Sequence, residues 1–154
     1  GFVTLHASYD GVWDMHADSN NLDMVQGMDA VGTTFDHAVA AFIEDIEARG
    51  LQDDILLVCS GEMGRTPRIN KRGGRDHWSR LAPLLLYGGG LEGGRVIGQS
   101  TRDAGQPASD PLGPKHLVSS ILHTVFDVAE LRLKPSIPNQ INRLVEHQTF
   151  PGMS

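Results

Sequence analysis

Two residues near the start of this chain have side chains that commonly bind metal ions. Asp14 and His16 flank Met15, and this two-residue spacing turns both side chains to one side where the backbone is extended. A carboxylate and an imidazole together are a normal ligand set for a transition metal such as zinc. The alternative interpretation is that Asp14 caps a turn and His16 faces water.

A glycine-rich segment further along the chain carries more side chains of this kind. Glu62 precedes Gly64, whose missing side chain would let an ion or a substrate approach the backbone. Arg65 and Arg68 can bind an oxyanion through the planar fork of guanidinium donors. His77 can give a ring nitrogen to a metal, with a neighbouring carboxylate fixing its tautomer. The plainer interpretation is that Glu62 pairs with Arg65, the arginines face water and His77 packs within a loop.

The apolar pattern predicts the elements that would position these residues. Residues 2–5 are predicted as a short strand, and residues 55–59 as a fully buried strand because they are almost continuously apolar. Between them, apolar residues at spacings of three and four predict an amphipathic helix from Met28, and Arg49-Gly50 is a typical helix end. Strand, helix and strand form a βαβ unit, which we expect to be parallel and right-handed. Open α/β sheets bind ligands where their strands end.

The second half of the chain continues the same pattern. Residues 83–87 are another predicted buried strand, and the polar residues 100–114 are a predicted surface loop. Pro114 suits the first turn of a second helix with an apolar stripe. A short helix is expected near residues 140–146, followed by a frayed tail. The predicted fold class is therefore α/β, with a mostly parallel sheet flanked by helices.

Composition excludes several classes of function. The 154 residues fit one compact domain, and the net charge of −6 argues against general nucleic-acid binding, which requires a basic face. Cys59 is the single cysteine, so any metal site would use His, Asp and Glu. No apolar run is long enough to span a bilayer. Because the chain starts without methionine inside an apparent strand, we expect a piece of a longer protein whose upstream part carries any signal peptide and part of the site.

Several of these segments, in this order, resemble the bacterial sulfatase-like family of domain of unknown function 1501. The resemblance is carried by residues 13–16, 61–67, 74–78 and 86–98. That family is similar to the alkaline phosphatase and sulfatase superfamily, so the resemblance implies an alkaline-phosphatase-like fold. Residues 1–135 would form the C-terminal part of a sulfatase-like α/β domain, and residues 136–154 a C-terminal extension.

The resemblance also implies a site and a function. Asp14, His16 and His77 match the residues that hold a first metal, Glu62 stands where a second metal's carboxylate would be, and Arg65 would bind the anion. The cofactor would be a divalent metal ion, with zinc favoured over manganese, calcium or magnesium. The chain would be the C-terminal half of an exported, metal-dependent hydrolase, periplasmic or extracellular. Its substrate would be a phosphate or sulfate ester, or a sulfated glycan.

Two alternatives remain open. Met63 follows Glu62 where the phosphatases have Asp-His, and a thioether is a poor ligand for a hard or borderline cation. This departure favours a non-catalytic binding module that recognises an anionic glycan or a partner protein. The plainest alternative is a stable α/β fragment whose polar loops are solvated.

Overall fold

The computed structural model describes residues 1–9 and 12–153, which divide into two compact units. The first unit comprises Gly1–Glu44 and Gly61–Pro83, and the second comprises Asp45–Ser60 and the chain from Leu84 onward. The helices are α1 (Met24–Gly27), a π-helical turn (Met28–Gly32), α2 (Thr33–Ala48), α3 (Pro114–Val125), α4 (Val128–Arg132) and α5 (Asn139–Val145). The strands are β1 (Leu56–Ser60), β2 (Gly64–Arg65), β3 (His77–Trp78) and β4 (Leu84–Gly88).

The first helical region begins earlier than its apolar stripe predicts. The Asp23 side chain accepts a hydrogen bond from the Gln26 backbone N–H at 2.8 Å, so the helix starts at Met24 instead of Met28. The predicted end is confirmed, because α2 stops at Ala48 and Gly50 has a φ of +67°. That left-handed conformation is the one in which glycine commonly ends a helix.

The two longer strands lie close to where the sequence predicts them and pair with each other. β1 and β4 run antiparallel, with Val58 opposite Leu86. Their residues are half-buried or exposed, Leu85 being 42% exposed, so the prediction of full burial is wrong. The mostly parallel sheet of the predicted α/β fold is not among the described pairings, and it stays a prediction.

The predicted strand at residues 2–5 is not formed. Phe2, Val3 and Leu5 are exposed, and nothing in the described residues pairs with this run. A strand needs a neighbour to take its backbone hydrogen bonds, and the apolar composition that motivated the prediction cannot supply one. The described residues therefore do not form the predicted βαβ unit.

The second unit buries the end of the chain. Helix α3 begins at Pro114 as predicted, and α5 confirms the short helix expected near residues 140–146. The most buried positions of α3 are the serines Ser119 and Ser120, at 0% exposure, and not its apolar stripe. Phe150 and Met153 are also buried, so the prediction of a frayed tail is wrong. Helix α4 was not predicted.

The core of the first unit explains how the first candidate ligands are presented. Val12, Met15 and Val31 form a small buried cluster. A Cβ atom added at Gly27 would lie 2.6 Å from Met15 Cγ, so the helix approaches this methionine closely. Met15 points into the core. Asp14 and His16, on either side of it, can therefore face the segment that contains β2 and β3.

Candidate metal centre

Three of the predicted ligands come together in the first unit. Each of these residues, Asp14, His16 and His77, offers one ligand atom. The three atoms lie within 4.8 Å of one another. Asp14 and His77 are separated by 63 residues in sequence, so the cluster is a product of the tertiary fold. His16 is the most enclosed of the three, with a side chain 17% exposed against 45% for Asp14 and 46% for His77.

A short hairpin places His77 in the cluster. Strands β2 and β3 pair antiparallel with Arg65 opposite His77. The loop between them donates two hydrogen bonds to backbone carbonyls of the His16 segment, from Arg75 N to Met15 O at 2.8 Å and from Asn70 Nδ2 to His16 O at 3.0 Å. These contacts hold the segments that carry His16 and His77 side by side.

The hydrogen bonds around His16 assign its tautomer. Nδ1 lies 2.9 Å from the backbone carbonyl of Arg75, which can only accept, so Nδ1 carries the proton. Nε2 then keeps its lone pair and faces Asp14, Arg65 and His77. A backbone carbonyl on the opposite nitrogen is the usual way in which a metal-binding histidine is oriented.

His77 presents its Nε2 atom to two acceptors. This atom lies 3.1 Å from Asp14 Oδ1 and 3.2 Å from His16 Nε2. Because both of those atoms accept, His77 donates its Nε2–H in this arrangement. A metal ion bound through the same nitrogen would take the place of that proton.

Arg65 supplies a positive charge to the cluster. Its guanidinium donates to Asp14 Oδ1, and Nη1 lies 3.4 Å from His16 Nε2. The hydrogen bond from Arg65, followed by that from His77, lowers the pKa of the Asp14 carboxyl below its ordinary value. Asp14 is therefore held in its charged form, which is the form that binds a cation.

Glu62 lies outside this cluster. It is exposed, and it is not among the residues whose ligand atoms converge. Its predicted role at a second metal stays a prediction. The carboxylate next to His77 in sequence, predicted to fix the His77 tautomer, is that of Asp76, and its Oδ1 lies 3.6 Å from His16 Nδ1.

Sequence reasoning missed two contributors to the cluster. The Arg75 carbonyl orients His16, and every residue carries such a group, so no sequence signal marks it. Asn70 bonds to the His16 carbonyl through its side chain, and its own Oδ1 accepts from Arg72 N and Gly74 N, each at 3.0 Å. Asparagine between polar residues and glycines signals a turn, but not the segment that the turn contacts.

A family model described as protein of unknown function (DUF1501) matches residues 1–133. The chain belongs to this family. The DUF1501 match includes every predicted site residue, because Asp14, His16, Glu62, Arg65 and His77 all lie within it. No curated protein and no solved structure is significantly similar to this DUF1501 chain. Within its described residues, no helix combines the length and the apolar character needed to cross a bilayer.

Proposed function

We propose that Asp14, His16 and His77 bind a divalent metal ion, and that the chain is the C-terminal half of a metal-dependent hydrolase of phosphate or sulfate esters. The observation that carries this proposal is the convergence of one carboxylate and two imidazoles, with ligand atoms within 4.8 Å of one another. The likeness of the family's segments to the alkaline phosphatase and sulfatase superfamily supports the reaction class.

The donor set fits a zinc-type ion. One oxygen and two nitrogens are ligands that zinc accepts, and the assigned tautomer of His16 leaves Nε2 able to bind. Catalytic zinc sites commonly use three protein ligands and keep a further position open for water or substrate. When bound, such an ion polarises the ester oxygens as a Lewis acid.

Residues of the chain would orient the ligands, keep them charged and bind the ester. The Arg75 carbonyl orients His16, and Arg65 keeps the Asp14 carboxylate charged. The partial exposure of Asp14 and His77 gives an anionic ester access to the cluster. The guanidinium of Arg65 contacts the cluster, and its planar fork can donate two parallel hydrogen bonds to a phosphate or sulfate.

Zinc binding by the purified chain tests the metal centre. We expect about one zinc ion per chain by equilibrium dialysis with elemental analysis, and at least a tenfold loss of affinity, roughly, in His77→Ala, because a ligand is removed. His37→Ala is the matched control, since His37 is an exposed histidine of α2. Equal zinc affinity in wild type and His77→Ala would refute the centre.

Turnover by the full-length protein tests the reaction. We expect it to hydrolyse an aryl phosphate or an aryl sulfate, with the activity lost in His77→Ala. The second candidate is a non-catalytic module that binds an anionic glycan or a partner protein. It is favoured by Met63, whose thioether is a poor metal ligand, at the position after Glu62. Zinc binding without turnover of either ester would favour this second candidate.

The location of the protein is part of the same proposal. The resemblance to sulfatase-like proteins implies export to the periplasm or beyond the cell. Fractionation of cells that produce the full-length protein tests this expectation, and recovery in the cytoplasmic fraction would contradict it.

A further inference from the structure

The guanidinium of Arg65 contacts the same atoms that would bind the metal ion. Nη2 donates to Asp14 Oδ1 and lies 3.3 Å from the Trp13 carbonyl, while Nη1 lies 3.4 Å from His16 Nε2. Only 22% of the Arg65 side chain is exposed. The proposed centre therefore already includes a cationic side chain of the protein itself.

His16 cannot serve both cations at once. Its Nδ1–H donates to the Arg75 carbonyl, so Nε2 has a single lone pair. A lone pair that is directed at a metal ion cannot also accept an N–H from Arg65. A divalent ion and a guanidinium within hydrogen-bond distance of one ligand also repel each other.

We infer that Arg65 and the metal ion exchange at Asp14 and His16, so that metal binding releases the guanidinium to hold the anionic group of the substrate. This inference rests on the proposed metal centre and adds an order to it, in which the metal binds before the anion. Arg65 thus has two successive roles. It neutralises Asp14 until the ion arrives, and it then becomes a donor for a phosphate or sulfate.

The backbone around Arg65 allows this exchange without unfolding the hairpin. Residue 65 is paired with His77 across β2 and β3, and its carbonyl lies 3.3 Å from Arg75 Nη2. The contacts to Asp14, His16 and the Trp13 carbonyl all come from the guanidinium. Rotation about the side-chain bonds is therefore enough to move the charge from one set of partners to another.

Arginine labelling of the wild-type chain tests the release directly. Phenylglyoxal modification is followed by mass spectrometry with and without zinc, and Arg72, an exposed arginine of the β2–β3 loop, is the internal control. We expect zinc to raise the labelling of Arg65 at least about threefold, because the guanidinium loses the hydrogen bonds that hold it. Labelling of Arg65 that stays the same or falls overturns the exchange.

Zinc affinities of three variants separate exchange from simple charge repulsion. Arg65→Gln should bind zinc at least about fivefold more tightly, because a competitor for the ligands is gone. Arg65→Lys keeps the charge but cannot reach both Asp14 and His16, so this variant should also bind zinc at least about twofold more tightly. Arg72→Gln should stay within about twofold of wild type, because its charge is exposed and screened.

The outcomes separate this inference from the proposed function. If zinc binding depends on His77, but Arg65→Lys binds zinc no more tightly than wild type, the exchange is wrong and the metal centre stands. If zinc binds to none of the proteins, both are wrong.

Discussion

The two ring nitrogens of His16 face different kinds of partner, and this difference makes the residue useful. Nδ1 is committed to a backbone carbonyl at 2.9 Å, while Nε2 faces a carboxylate, a guanidinium and a second imidazole. The carbonyl therefore decides which nitrogen can bind a cation. At the residue scale, the chemistry of this cluster depends as much on a main-chain atom as on the side chains.

Tyr87 shows a different residue-scale effect in the second unit. Its hydroxyl donates to Glu47, and both residues line a cleft of about 280 Å³. The hydrogen bond to Glu47 raises the pKa of the Tyr87 phenol above its ordinary value of 10.0. The folded state holds the Tyr87 proton more tightly than the unfolded state does. The contribution of this hydrogen bond to the free energy of unfolding is therefore fully present below the ordinary pKa. It is lost as the pH rises through the folded-state pKa.

Alkaline titration of tyrosinate absorbance checks this effect. Tyr9→Phe leaves Tyr87 as the remaining tyrosine, and its midpoint should lie above 10.0. Adding Glu47→Ala removes the acceptor, so the midpoint should fall toward the ordinary value. Identical midpoints with and without Glu47 would show that the hydrogen bond does not form.

At the scale of elements, the β2–β3 hairpin is the part that assembles the cluster. Its strands are only two residues long, so the conformation of its loop depends on hydrogen bonds outside the strand pairing. The Asn70 side chain supplies several of these, and the Thr66 N–H donates to the Asp76 carbonyl at 2.8 Å. A loop that is hydrogen-bonded internally positions the adjacent His77 of β3 with little conformational freedom.

Gly74 is the position where this loop most closely approaches the His16 segment. A Cβ atom there would lie 2.3 Å from the His16 carbonyl carbon and oxygen, which are backbone atoms that cannot rotate away. We expect Gly74→Ala to lower the free energy of unfolding by about 1–3 kcal/mol, as overpacking typically does. It should also weaken zinc binding, since His16 must move.

Urea unfolding and zinc dialysis measure both effects of Gly74→Ala. Gly93→Ala is the matched control, because a Cβ atom there meets nothing within 4 Å and the residue has no positive φ. A stable Gly74→Ala protein with wild-type zinc affinity would show that the loop does not approach His16 this closely.

At the scale of the whole molecule, charge is unevenly distributed along the chain. The net charge is −6, yet residues 65–80 contain six basic residues and one acidic residue. This segment carries Arg65 and His77. The proposed anionic substrate would therefore approach a segment that is positive in sequence, within a protein that is negative overall.

The C-terminal residues belong to the packing of the second unit. Ser119 Oγ donates to the His147 carbonyl at 2.7 Å, and Ser120 Oγ accepts from the Phe150 N–H at the same distance. Val145 is only 2% exposed. The predicted boundary at residue 135, between a domain and an extension, stays a prediction, but residues beyond it supply part of this core.

Removing residues 136–154 should therefore disrupt the cooperative unfolding of the second unit. The smaller change Ser120→Ala leaves the Phe150 N–H buried without its partner, which we expect to cost about 1–3 kcal/mol in free energy of unfolding. Urea unfolding measures both, and Ser79→Ala at an exposed position is the control. A truncated protein as stable as wild type would contradict the observed packing.

The sequence alone determined the features that depend on local physical chemistry. Pro114 at a helix start and Gly50 after a helix end restrict nearby dihedral angles, and the apolar run of β1 favours a strand. These elements could therefore be located from the sequence, although the burial of β1 could not. The types of candidate ligand were also readable, because side-chain chemistry needs no fold. The order of the segments was sufficient to suggest the family.

Tertiary structure alone decided which residues meet. Asp14 and His77 are brought together by hydrogen bonds between distant segments, and no local pattern specifies these contacts. The same reason explains why the strand prediction failed, because residues 2–5 have strand composition but no strand partner among the described residues. Glu62 has a ligand's chemistry and lies outside the cluster, and its role at a second metal stays a prediction. Local propensity describes what a segment can become, whereas long-range hydrogen bonding and packing select what it contacts.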